Sequence, residues 1–468
     1  MLYVNVTRSS FIILIPMFKN ARSLFVSAAA ILSLAACASA DLAPSQPAAK
    51  APTTKDVASP ASPRQNAPLI GASALTPAPT SAVGTASDPD ARVRVGLLVP
   101  LSGPAQPTGQ GILNAAQVAL FEMGNERLVL QVYDTQGTPD GAVSAVTKAV
   151  AQGVQLILGP VFAGEIKAIT PQAQAAGINV VAFSTDPGVA GNNVFVLSFL
   201  VEAQVREMVA YARSKGLSRF AVLAPDTIYG QTVADTVRTL VPAGGGEVKQ
   251  VVYYDPNGHN LEDVVRRLAD YDKRRTALTQ ERNSLSSSQD EASQLALKRL
   301  EQLETLGDVD FDAIFIPEQG ARLTQAATLL PFFDIDTSRV QLLGTMLWAT
   351  RGLGREPALV GGLYPAPAPE TSRDFANRYR QSFGAAPGPL ANHGYDAVAL
   401  AAVLTRTGRA DPFRATALSD VSGFSGVDGI FRFRANGLSE RSFAIMQITR
   451  DGTEVVRAAP TAFEDVGF

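Results

Sequence analysis

His259 and His393 are the only imidazoles in the 468-residue chain, and Cys37 is its only thiol. These three side chains bound the chemistry the protein can perform. One cysteine excludes an internal disulfide and any multi-cysteine metal or iron–sulfur site, and two histidines leave little for a histidine-based metal centre. His259 lies in the turn Pro256-Asn257-Gly258-His259-Asn260, and His393 sits beside Asn392 at a helix start. Neither has a serine or cysteine partner at a recognisable catalytic spacing. Gly109-Gln110-Gly111 lacks the third glycine and the matched acid of a dinucleotide loop. Gly423-Phe424-Ser425-Gly426-Val427 misses the nucleophile-elbow pattern at its last position. These residues argue against an enzyme and imply no cofactor or metal.

The elements that must position any binding residues follow one alternation. From residue 92 onward, short β-branched runs alternate with helical periods: strand 93–100, helix 109–123, strand 128–133, helix 140–152, strand 154–158, helix 165–176 and strand 178–183. Near-continuous apolar strands separated by helices predict a parallel sheet covered on both faces. A second series, with strands 219–223, 247–254, 312–316 and 340–343 and helices 231–240 and 321–330, predicts a second α/β lobe. The helix 394–406 and the strands 429–433 and 442–449 have no partners in that series, so part of this tail should fold back on the first lobe, with several hinge crossings. The expected first lobe is about 92–200 plus parts of 390–468, and the second about 201–390. Ligands of such sheets bind beyond the carboxyl ends of the strands. That rule selects the loops 101–108, with Ser102, 159–164, and 184–188, with Ser184 and Thr185.

Composition divides the rest of the chain. Lys plus Arg number 40 and Asp plus Glu 43, a net charge of −3, so no domain-scale basic surface exists for nucleic acid. Residues 38–91 are Ala, Pro, Ser and Thr with few large apolar side chains, which reads as a disordered, extended tether. Ahead of it, Lys19 and Arg22 precede the apolar run 23–34 and the small residues Leu34-Ala35-Ala36 before Cys37, so 1–37 reads as a secretion signal with Met17 as a better start than Met1. Leu34-Ala35-Ala36-Cys37 resembles the lipobox of bacterial lipoproteins. That resemblance implies a lipid-modified Cys37 anchoring the chain to a membrane, and Ala38 after it favours the periplasmic side of the outer membrane.

Several motifs in order then carry a wider resemblance. Val93-Arg94-Val95-Gly96-Leu97-Leu98-Val99-Pro100-Leu101-Ser102-Gly103-Pro104, Gly159-Pro160, Ser184-Thr185, Tyr229-Gly230, Gly394-Tyr395-Asp396-Ala397 and Ser425-Gly426-Val427-Asp428-Gly429 are similar to the type I periplasmic binding proteins of the leucine-binding kind. The resemblance implies two doubly wound parallel-sheet lobes joined by a multi-crossing hinge, with a small-molecule cleft between them. In amino-acid-binding members, a serine and a threonine at strand ends hold the ligand carboxylate and an acid of the other lobe takes the ammonium. Carried over by motif, Thr185 and Glu318 fill two of these roles and Tyr229 lines the wall, with Ser102 and Ser184 beside them. The serine position falls at Ala163 or Gly164, which have no hydroxyl. The loss of such a bond is worth about 1.5–3 kcal/mol, one or two decades of affinity.

Residues 261–306 are too long for an ordinary connection. They read as a charged helical hairpin, with a break at 283–288 and a Ser288/Glu291 capping box, exposing Arg274, Arg275, Arg282, Lys298 and Arg299 to a partner. This insertion, with Asp310–Pro317 and Leu343–Trp348, resembles the penicillin-binding protein activators, lipoproteins that stimulate a peptidoglycan synthase. That resemblance implies a synthase as partner. The leucine-binding resemblance implies instead the solute receptor of an ABC importer for branched-chain or other amino acids.

Overall fold

Val93–Val99 is a seven-residue run in which only Arg94 is exposed, and it forms β1 at the heart of the first lobe. The structure, a computed structural model, describes residues 92–288 and 290–463; the signal segment, Cys37 and the tether lie outside the described residues. Beside β1 lie β2 (Leu128–Asp134), β3 (Leu156–Leu158), β4 (Asn179–Ala182) and β5 (Val194–Val196), all parallel, in the order β2-β1-β3-β4-β5. α1 (Gln106–Met123), α2 (Pro139–Ala151) and α3 (Ala163–Ala175) connect them. Successive strand residues feed opposite cores: Leu97, Leu158 and Val181 face one, Leu98, Ile157 and Val180 the other. Both faces are therefore covered, as the apolar runs require.

The second lobe begins with α4 (Val201–Ser214), β6 (Arg219–Pro225), α5 (Ile228–Ala243) and β7 (Glu247–Tyr254). After α6 (Leu261–Leu268), α7 (Tyr271–Ser286) and α8 (Glu291–Leu300) come β8 (Ala313–Phe315), α9 (Gly320–Phe332), β9 (Gln341–Leu343) and β10 (Leu363–Ala366). The chain then returns to the first lobe through α10 (Pro369–Phe383), whose Phe375 and Tyr379 join the first-lobe core. This places the lobe boundary near 366–369 and not near 390. α11 (Ala391–Arg406) packs so closely on α1 that a Cβ on Gly394 would stand 2.3 Å from the Ile112 carbonyl oxygen, so only glycine fits. α12 (Ala415–Leu418) and the small antiparallel sheet of β11 (Phe424–Gly426), β12 (Gly429–Phe433) and β13 (Ser439–Arg441) complete that lobe.

The last two strands divide from the preceding tail. β14 (Ala444–Thr449) and β15 (Gly452–Arg457) cross back and extend the second sheet antiparallel, giving the order β15-β14-β10-β9-β8-β6-β7. Three segments thus join the lobes, at 197–200, 367–368 and 442–443. Ser439 Oγ donates to the Ser198 carbonyl at 2.8 Å and accepts the Ser198 N–H at 3.1 Å, tying the first crossing to the strand that leads into the third.

The charged insertion differs from its expected form. A left-handed Asp270 (φ 46°) breaks the first helix into α6 and α7. α6 is core: Leu261, Val264, Val265 and Leu268 are buried in the second lobe. α8 buries no side chain. Its cap is Asp290, not Ser288, because Asp290 immediately precedes the first helical residue and its carboxylate accepts the Ser293 N–H at 2.8 Å.

Candidate functional site

The carboxyl ends of the parallel strands carry the polar side chains, and the structure pairs most of them with one another. At the end of β1, the Ser102 hydroxyl donates to Asp134 Oδ2 at 2.6 Å, and the Leu101 and Gln136 amides donate to Asp134 Oδ1 at 2.8 Å. Burial pushes the Asp134 carboxyl up, but these hydrogen bonds prevail and hold it below its usual range. Ser184, after β4, is buried, and its hydroxyl accepts the Asp186 N–H at 3.0 Å within its own turn. Thr185 is exposed and faces the second lobe.

In the second lobe, two hydrogen bonds interleave across the strand ends. Tyr229, in the first turn of α5 after β6, donates its hydroxyl to Thr345 Oγ1 at 2.8 Å, reaching past β8 to the end of β9. Tyr254, the last residue of β7, donates to Glu318 Oε2 at 2.5 Å, reaching past β6 to the end of β8. Burial, and then the Glu318 carboxylate, push the Tyr254 phenol well above its ordinary value, so it stays a donor. Burial raises the Tyr229 phenol as well, against the Thr345 bond. Trp348 is fully buried and donates its indole N–H to the Ile316 carbonyl at 3.1 Å, so it is a core residue. Thr345 and Tyr254 had no distinguishing sequence signal, since each bond depends on which strands are neighbours.

The loop expected to carry a serine carries a buried acid. Glu165, 1 % exposed in the first turn of α3, accepts the Phe162 N–H at 2.9 Å, the half of a capping box that a phenylalanine N-cap allows, while Oε1 has no partner. Burial pushes its carboxyl up. The S/T/D/N signature of a cap is absent at Phe162, which hid this role in the sequence.

A cavity of about 550 Å3 opens between the lobes. Thr185 and Pro187 line it from the first lobe, and Glu202, Arg206, Asp235 and Thr236 from the second. Of the pocket candidates, Thr185 alone lines it; Tyr229 and Glu318 lie elsewhere along the strand ends, and no hydrogen bond joins either to Thr185 among the described residues. A volume of this size suits a small molecule.

The expected partner surface is also redistributed. Arg274 is buried and donates to the carbonyls of Gly307 at 2.7 Å, Asp334 at 3.1 Å and Ala269 at 3.3 Å, so it closes the base of the insertion and offers nothing to a partner. Arg282 is half-buried and donates to the carbonyls of Leu300 at 2.6 Å and Leu303 at 2.9 Å, clamping the hairpin. Arg275, Lys298 and Arg299 are exposed.

Comparisons with known proteins agree with this architecture. The chain is 28 % identical over 166 residues to the Leu/Ile/Val-binding protein BraC3 of Rhizobium johnstonii, covering 33 % of this chain and 45 % of that one. It is 30 % identical over 142 residues to the penicillin-binding protein activator LpoA of Glaesserella parasuis, covering 30 % of this chain and 24 % of LpoA. The chain thus spans about half the length, or less, of the curated relatives it matches. A putative branched-chain amino acid ABC transporter protein from Rhodospirillum rubrum superposes with a TM-score of 0.61 at 16 % identity, over 78 % of this chain and 100 % of that one, which shows the shared fold. The profile of the periplasmic binding proteins matches residues 92–453, through both lobes and every hinge crossing; the chain belongs to that family, which binds its targets and does not catalyse reactions on them.

Proposed function

We propose that the chain is a solute-binding receptor that closes its two lobes on a small molecule, as the substrate-binding partner of an ABC importer. The interlobe cavity lined from both lobes carries this reading: a ligand touching Thr185 on one side and Asp235 on the other contacts both walls only when they are close, so it favours the closed state. The matched stretch of a Leu/Ile/Val-binding relative supports an amino acid or a related solute. Lipid attachment at Cys37 would hold such a receptor at the periplasmic face of a membrane, whereas the outer-membrane sorting that Ala38 favours suits the second reading below.

A second reading, activation of a peptidoglycan synthase, is favoured by the LpoA stretch and by the exposed Arg275, Lys298, Arg299 and Leu295 on the hairpin. One pair of measurements separates the two. The full chain is screened by thermal shift against the amino acids and a metabolite extract, and for stimulation of a purified synthase. A ligand at a hundred times its Kd adds about 2.7 kcal/mol and a visible shift. A shift without synthase stimulation supports the receptor. Stimulation without a shift, lost when residues 281–303 are excised, overturns it.

A further inference from the structure

Much of the second-lobe wall of the interlobe cavity is one face of α5, where Thr232, Asp235, Thr236 and Thr239 recur at helical three- and four-residue spacing. The threonine hydroxyls have already placed their protons. Thr232 donates to the Ile228 carbonyl at 2.7 Å, Thr236 to the Thr232 carbonyl at 2.7 Å and Thr239 to the Asp235 carbonyl at 2.9 Å. A hydroxyl whose proton is engaged presents only lone pairs. Asp235 bonds Arg238 at 2.8 Å yet keeps 71 % of its side chain exposed, so its carboxylate still has acceptor capacity. On the same lobe, Glu202 of α4 adds a second carboxylate.

Donors are scarce in the same lining. Arg206 is its one cation, and its guanidinium pairs with Glu202 one turn earlier on α4. Arg206 Nε has no partner but is buried; the side chain as a whole is 34 % exposed, with part of its donor capacity taken by Glu202. Arg434 also approaches Glu202, at 3.6 Å. Leu200, Leu240 and Leu438 supply the apolar part of the wall. Asp186, between the lining residues Thr185 and Pro187, adds a further acid, itself 3.7 Å from Lys167 Nζ.

We propose that this cavity, and not the row of Tyr229 and Glu318, is the ligand chamber, and that it takes an alkylamine cation whose ammonium bonds Asp235 and the α5 threonines. An ammonium brings three donors and no acceptor, the complement of this wall. Its alkyl chain lies against the leucines. A carboxylate in the same place meets two carboxylates and the lone pairs of the hydroxyls, with only Arg206, already paired to Glu202, to receive it. The proposal rests on the receptor reading and narrows it to a ligand class.

The test is calorimetric titration of the full chain with four probes: isoamylamine, 1,4-diaminobutane, L-leucine and isovalerate. The amines should bind, and isovalerate should not. Asp235→Asn and Thr236→Val should each weaken amine binding by about tenfold, the loss of one charge-assisted hydrogen bond. Thr236→Val is close in shape, and the melting temperature of each ligand-free variant reports whether it folds; if either unfolds, Thr232→Val and Thr239→Val probe the same wall. Amine binding that is indifferent to these substitutions overturns the proposal, as does isovalerate binding more tightly than isoamylamine. Leucine binding that falls with Glu318→Gln and ignores Asp235→Asn overturns it while leaving the receptor reading intact. No heat from any probe also overturns it, and the receptor reading is then judged by the separate amino-acid and extract screen.

Discussion

Arg441 and Asp396 meet at 3.0 Å with side chains 1 % and 0 % exposed, at the point where the chain makes its last passage between the lobes. The Arg441 guanidinium lies over Phe199, of the first crossing, at 4.5 Å and over Phe431 at 5.1 Å. Asp396 also accepts the Val427 N–H at 2.8 Å, and a Cβ on Gly426 would stand 2.6 Å from its carboxylate oxygen. Two sequence motifs, Gly394–Ala397 and Ser425–Gly429, therefore converge on one buried ion pair at the hinge. Arg441→Met should cost about 3–5 kcal/mol, because it strands a buried carboxylate, whereas the double variant with Asp396→Leu should recover part of that loss. Urea unfolding of the wild type, both single variants and the double variant measures the coupling; additive costs would deny the pair its role.

His393 gives the same region a pH dependence that opposes the one from Asp396. The imidazole bonds Asn392 Oδ1 at 2.8 Å and packs edge-on against Phe183 and Phe199. Burial, with the Arg441 charge adding to it, holds its pKa at about 3, below the ordinary 6.5. The unfolded chain thus takes up a proton that the folded one refuses, and stability falls as pH drops below about 6.5, by about 1.4 kcal/mol per unit. Asp396 is pushed up to about 6 by burial, against the attraction of Arg441 and with Asp428 adding to the rise. The folded state binds that proton more readily, so stability rises as pH falls from about 6 to the ordinary 3.8. The two slopes largely offset. His393→Gln removes one of them. Relative to wild type, this variant should gain about 2 kcal/mol between pH 7 and pH 5, read from urea unfolding at both values; parallel shifts in the two proteins would rule out a neutral buried imidazole.

The neighbouring arginines of the insertion should behave in opposite ways. Arg274 donates to three buried-side carbonyls, those of Ala269, Gly307 and Asp334, while Arg275 is exposed. Arg274→Ala leaves these acceptors without a donor and should lose about 2–4 kcal/mol of stability. Arg275→Ala should stay within about 0.5 kcal/mol. If the hairpin docks a synthase, only Arg275→Ala weakens stimulation without lowering the melting temperature. Equal melting temperatures for the two variants would show that Arg274 is not structural.

Most strands were legible because apolar runs such as Leu97-Leu98-Val99 have few other places to go. β5 and β10 were not legible, being three and four residues long and meaningful only through their neighbours. The destination of 442–449 was not legible either: the strand pattern was present, but nothing local says which of two sheets will pair with it. Arg274 and Arg275 look alike in a charged run, and only the break at Asp270 decides which one turns inward. The candidate site divides in the same way. Thr185 was reachable from its place after β4, whereas the α5 threonines read as ordinary helix surface until the opposite lobe is placed beside them.

The interleaved bonds at the second-lobe strand ends supply a further contrast. Thr345 is 1 % exposed, so Tyr229→Phe leaves a buried hydroxyl without its main partner, and the expected loss is about 1 kcal/mol. Glu318 is half-buried and also accepts the Gln319 N–H at 2.9 Å, so Tyr254→Phe leaves a carboxylate that water can reach. Its cost should be smaller, at most about 0.5 kcal/mol. Neither phenol lines the interlobe cavity, so amine binding should be unchanged within twofold in both variants, as measured by the same calorimetric titration. A tenfold loss with Tyr229→Phe would instead place the ligand at the strand ends, beside Thr345 and away from α5.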